Sequence, residues 1–181
     1  MKQLLSLVAI SGLMALATAA FATGVSTTAT SSFNTDVNEM AVLNIAGYPG
    51  NLVLGAPGTG GTTIDNASDA TTYAQYTSVI ATGKTRILDA KISAGSIPAG
   101  TTLKLTAGNP GGTGNVGTKA AQVTLTGTAA SIVTGIGSCN TGTGDTDGTN
   151  LSYQLSVSAI GSLVKTALNN VTVTFTLNDG A

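Results

Sequence analysis

The chain has no histidine, no tryptophan, one cysteine (Cys139) and one glutamate (Glu39). Those absences remove most enzyme chemistry. Without imidazole a Ser-His-Asp or Cys-His relay cannot be assembled, and a zinc site built on histidine or several thiolates cannot be filled. The 8 acidic residues could still supply a carboxylate pair, but no close pair sits in an apolar stretch that would drive two pKa values apart. The expectation is a protein that is not an enzyme, with no catalytic residues and no cofactor. A single cysteine also excludes an internal disulfide. Cys139 is then a buried small residue, a free thiol or an intermolecular bridge.

Charge is scarce as well. Charged residues make up 8% of the chain, against about 25% in a typical soluble domain, and the formal net charge is −1. No basic footprint exists for nucleic acid or an acidic membrane. Aromatics are few, and a stacking platform for sugars could draw only on Tyr48, Tyr73, Tyr76 and Tyr153. Downstream of the N-terminus no uncharged apolar run approaches the roughly 18 residues that a membrane helix needs.

Threonine, serine, alanine and 24 glycines fill the deficit. Their arrangement is regular. In residues 168–178, LNNVTVTFTLN, Val171, Val173, Phe175 and Leu177 alternate with Asn170, Thr172, Thr174 and Thr176. Successive strand side chains point to opposite faces, so this stretch carries one apolar face and one hydroxyl face. Leu151, Tyr153, Leu155 and Val157 alternate with Ser152, Gln154, Ser156 and Ser158 in the same way. Burial is worth roughly 1.5–3 kcal/mol per large side chain, while ordering the backbone costs about 1–2 kcal/mol per residue. Two such strands need further strands and a second apolar layer.

Residues 1–22 read as a secretory signal peptide: Lys2, an apolar segment over 4–16, and small-x-small cleavage patterns ending at Ala19 and Ala22. Residues 23–35 form an extended arm, with Val25, Thr27, Ala29, Ser31 and Phe33 sharing one face if it becomes a strand. That arm is either an edge strand of its own domain, or frayed, or a strand donated to the sheet of a second copy. Residues 36–181 hold the domain, with strands expected over 37–46, 52–54, 71–80, 85–93, 101–106, 121–125, 131–136, 151–158 and 168–178. Leu88, Ala90 and Ile92, then Leu103 and Leu105, are the expected inward sets. Turn signals recur every 8–12 residues and no helical period appears after the signal segment. The pattern predicts a single antiparallel β-sandwich, immunoglobulin-like or pilin-like, of about nine short strands.

Three glycine-rich connections remain, over 55–69, 107–117 and 138–150. The first, GAPGTGG, lacks the following Lys-Ser/Thr of a phosphate loop and reads as a turn. The third contains Asp145, Asp147 and Asn150, oxygen-bearing residues between glycines of the kind calcium uses, but the acidic anchor expected several residues on is missing. Acidic residues are common in turns, and no metal is expected there. Asn66, Asn150 and Asn170 fall in glycosylation sequons, which a chain this rich in Ser and Thr produces by chance.

The export signal, the blocks DVNEMAVLNI, YTSVI…GKTRIL and TGIGSC, and the closing NLSYQLSVS…VTVTFTLND resemble uncharacterised exported β-sandwich proteins of Bacteroidota-type bacteria. In architecture they resemble, more loosely, fimbrial subunits and spore-coat-U-like proteins. The chain departs from the chaperone-assembled pilin pattern in having Gly180 rather than an aromatic as penultimate residue, and in lacking a disulfide pair. The resemblance implies a secreted structural protein at the cell surface, a subunit of a filament or coat. Its expected partner is itself, through strand addition, with no nucleic acid and no membrane span. The alternative is a monomeric adhesin or glycan-binding module that meets a surface glycan through the three loops, on Tyr48, Tyr73 or Tyr76.

Overall fold

The structure, a computed structural model, describes residues 29–166 and 169–180. The signal segment 1–22, and Val25 and Thr27 of the arm, lie outside the described residues. The chain divides into two units, Met1–Asp36 and Val37–Ala181. The described part of the first, residues 29–36, has no regular secondary structure and only exposed side chains.

The second unit is built of strands: β1 (Met40–Ala46), β2 (Ala67–Val79), β3 (Arg86–Ala94), β4 (Thr101–Ala107), β5 (Thr113–Gly114), β6 (Thr118–Lys119), β7 (Val123–Thr124), β8 (Ala130–Ile136), β9 (Cys139–Asn140), β10 (Thr149–Val157) and β11 (Thr172–Asp179). One 3-10 turn, Ile160–Ser162, is the single helical element among the described residues. Every strand pairing is antiparallel. Seven strands form one sheet, along the path β5-β9-β2-β10-β4-β7 with β1 added to β2, and β11-β3-β8-β6 form the other. The two sheets pack as the expected sandwich. Eleven strands replace the expected nine, because the glycine-rich connections supply two-residue strands. No strand forms at 52–54, where a lone Gly55–Asp65 bridge stands instead.

Alternation sets which side chains meet. Thr101, Leu103, Leu105 and Ala107 of β4 are buried while Thr102, Lys104 and Thr106 between them are half-buried. Thr149, Leu151, Tyr153 and Leu155 of β10 repeat the pattern, and β10 joins β2 to β4 at the centre of its sheet. From the smaller sheet come Leu88, Ala90, Ile132, Val133 and Ile136, all buried. Period two cannot bury both Ile132 and Val133. A register shift between Leu88 and Asp89 inserts an extra residue on β8 and turns both inward.

Candidate functional site

Two places stand out: a seam where both sheets end, and a cleft between two glycine-rich loops. The seam begins with β1. Tyr73 and Ala74 of β2 pair with Ala46 and Ile45 on one side and with Asn150 and Thr149 on the other. A strand has only two sides, so β1 lies opposite β10, and among the described residues it pairs with β2 alone. Among the described residues β11 pairs with β3 alone. β1 and β11, in different sheets, approach each other, so two edges that are unpaired among the described residues meet there.

Burial falls away toward that seam. Leu88 and Ala90 on β3 are 0% and 1% exposed, while their cross-strand partners Leu177 and Phe175 on β11 are only half-buried. Leu43 and Ile45 on β1 are half-buried beside the buried Tyr76 and Ala74. The outer faces differ. That of β1 carries exposed Met40 and Val42. That of β11 is polar: Thr174 Oγ1 donates to Ser93 Oγ at 2.7 Å, and Asn178 Nδ2 to Asp89 Oδ2 at 2.9 Å. Neither strand contains Lys, Arg or Pro, the residues that usually block edge pairing.

Arg86 anchors one end of the seam. Its Nη1 donates to Asp179 Oδ1 at 2.5 Å, and its Nη2 lies 4.0 Å from Glu39 Oε2. Glu39 Oε1 also accepts from the Ala81 backbone N–H at 2.8 Å. The ends of β1 and β11 are thereby tied to β3 through one buried guanidinium, whose Nε has no partner among the described residues. Sequence reasoning missed this role. The signal was present, since Arg86 shares its parity with Leu88, Ala90 and Ile92.

No family model, curated protein or solved structure matches the chain. Any functional reading therefore rests on this geometry and on the sequence.

The cleft is built by the loops expected over 107–117 and 138–150. They close on each other through the β5–β9 pair, Gly111 N–H to Gly148 O at 3.0 Å and Asn115 N–H to Ser138 O at 3.1 Å. A depression of about 430–610 Å³ is the scale of the surface hollows, and the one here, about 610 Å³, is lined by Gly112, Thr113, Asn140, Thr146 and Asp147 among others. Its polar groups are partly committed. Asn140 Oδ1 accepts from Gly142 N–H and Asp147 Oδ2 from Gly144 N–H, both at 2.7 Å. Asn150 turns away and donates to Ala70 O at 2.7 Å. Asp147 and Asn150 thus serve a turn and a strand contact separately, and Asp145 is exposed in the same loop. The remaining loop, over 55–69, closes on itself through Gly55 N–H to Asp65 O at 3.2 Å.

The aromatic platform needs correction. Tyr76 and Tyr153 are core residues, 3% and 4% exposed. The Tyr76 hydroxyl donates to Val116 O at 2.7 Å. Burial pushes both phenols up to about 12. Only Tyr48, which is exposed, and Tyr73, half-buried, remain accessible. Cys139 is half-buried against the core and its thiol is pushed up by that burial. A raised thiol pKa makes for an unreactive cysteine.

Of the assembly residues, Ala29, Ser31 and Phe33 are exposed and outside any strand, Phe33 at 82%.

Proposed function

We propose that this protein is a secreted structural subunit of a surface filament or coat, and that copies join by pairing strand edges. The observation that carries the reading is the seam: two edges that are unpaired among the described residues and carry no Lys, Arg or Pro, each with an apolar row only half covered. Unblocked edges of this length invite another strand, and monomeric proteins ordinarily protect them. The extended, exposed segment around Phe33 supports the same reading, since a strand donor must stand outside its own sheets. The near absence of catalytic side chains agrees with a mechanical role.

Negative-stain electron microscopy of the exported protein tests this. Filaments or regular sheets are expected, and they should vanish when residues 23–33 are deleted. A monodisperse monomer at high concentration would overturn the reading. The loop cleft supports a second reading, a glycan-binding module, because Asn140, Thr146 and Asp147 line one open hollow. A glycan array separates the two: binding by a strictly monomeric protein, lost in Asp147→Ala, would favour the second.

A further inference from the structure

We infer that the acceptor in this assembly is the open edge of β11, and that its occupant is the 23–33 segment of a second copy of the chain. The inference rests on the filament reading and says which edge carries it. Either edge would place a new strand's inward side chains in the seam, so the outward face must decide. On the arm, Ser26, Thr28, Thr30 and Ser32 alternate with Val25, Thr27, Ala29, Ser31 and Phe33. Once the arm is a strand, one of its faces bears a hydroxyl at every position from Ser26 to Ser32. The outer face of β11 continues that composition with Thr172, Thr174, Thr176 and Asn178, and cross-strand Thr–Thr and Thr–Ser pairs are favourable. Against β1 the same hydroxyls would face Met40 and Val42, which are exposed and apolar, with Asn44, already engaged by Gln75, the polar member of that face.

The inward face agrees. β11 presents Val173, Phe175 and Leu177, which are large and half-buried. The arm presents mostly small side chains with one large one, Phe33. Small residues beside large ones fit a narrow seam, and Phe33 gains the cover it lacks. β3 and β11 keep one register from Val173↔Ile92 to Asp179↔Arg86, so the ladder a donor would extend runs without interruption over seven residues of β11. β1 contributes Leu43 and Ile45 to the opposite wall of the seam.

Disulfide trapping between two populations tests the assignment. In a Cys139→Ser background, one population carries Thr30→Cys and the other Thr172→Cys, Thr174→Cys, Thr176→Cys or, as the competing edge, Val42→Cys. The four acceptor positions are outward on their strands, so folding should be undisturbed. Populations are assembled together and oxidised. The expected result is a cross-linked heterodimer at one or more β11 positions, in at least about tenfold greater yield than at Val42, as held rather than random encounter gives. Filaments that form while cross-linking favours Val42, or reaches neither edge, would overturn the β11 assignment and leave the filament reading standing. A Thr30→Cys/Thr174→Cys double variant that closes within one chain would overturn the second copy as occupant. Failure of the unsubstituted protein to assemble at all would overturn both.

Discussion

At the scale of single residues, three buried polar atoms are without partners among the described residues: Thr72 Oγ1, Ser78 Oγ and Arg86 Nε. A buried hydroxyl with no acceptor costs about 1–3 kcal/mol. Thr72→Val keeps the shape and removes the hydroxyl, so it should be neutral or should stabilise by about 1 kcal/mol, read as a shift in thermal midpoint. Arg86 behaves in the opposite sense. Arg86→Ala leaves Asp179 and Glu39 without their cation and opens a hole beside Leu88. It should cost about 2–4 kcal/mol, below the buried-pair maximum because both carboxylates are largely exposed. Denaturant unfolding measures both.

The tyrosines give a pH signature. In the folded state Tyr76 and Tyr153 ionise at about 12, against an ordinary value of 10.0, because burial disfavours the phenolate. A raised folded pKa means that the unfolded chain releases these protons first. The stabilisation is complete below pH 10 and is lost as pH rises toward 12, on the order of 2–3 kcal/mol per tyrosine. Alkaline unfolding followed by circular dichroism should fall in that window, with phenolate absorbance from these two residues rising together with it. Asp69 gives the acid counterpart on a smaller scale. Its carboxylate accepts from the Thr71 N–H at 2.9 Å and the Thr71 hydroxyl at 2.7 Å, and these hold its pKa below 3.8. Its contribution is present above pH 3.8 and is lost as pH falls through the lower folded value. Because the group is exposed, the loss should be under about 1 kcal/mol.

At the scale of elements, strands with an uninterrupted period were legible. β4 and β10 bury the residues that their alternation selects, and the inward set Leu88, Ala90 and Ile92 on β3 holds. Three kinds of feature were not legible. The bulge that buries Ile132 next to Val133 depends on pairing with β3, which a local pattern does not contain. The two-residue strands β5 and β9 exist because two distant glycine-rich loops meet. Gln75, a polar side chain, is 5% exposed because the later loop covers it: its Nε2 donates to Gly144 O at 2.6 Å, and Asn44 Nδ2 donates to its Oε1 at 2.9 Å. The same dependence on distant partners explains why the seam was invisible. An unpaired edge is a property of the sheet order, and sequence alternation looks the same at an edge as at a centre. One glycine illustrates how tightly the loops are held. Gly148 has φ +90°, and a Cβ there would lie 2.2 Å from Ala74 O. Gly148→Ala should therefore cost well over the roughly 1 kcal/mol of an ordinary glycine replacement, measured by thermal unfolding. At the edge itself, Thr176→Lys adds a charge opposite Asp89 on an exposed outer position. It should leave stability within about 0.5 kcal/mol yet reduce assembly, as edge lysines do.

At the scale of the whole molecule, the sandwich is closed by its core in the middle and unfinished along one side. The large buried side chains lie on β2, β3, β4, β8 and β10 and at Leu125 just after β7, while β1 and β11 carry half-covered ones. A copy that receives a strand there would finish its smaller sheet, and one that gives a strand would pass the same requirement along. Hydrogen–deuterium exchange, compared between the dispersed and the assembled protein, reads that step directly. Half of the amides of residues 172–179 point away from β3 and should exchange fast in the dispersed chain, then become protected on assembly, while β4 and β10 stay slow throughout. Equal exchange of those amides in both forms, with protection gained elsewhere or nowhere, would contradict the account.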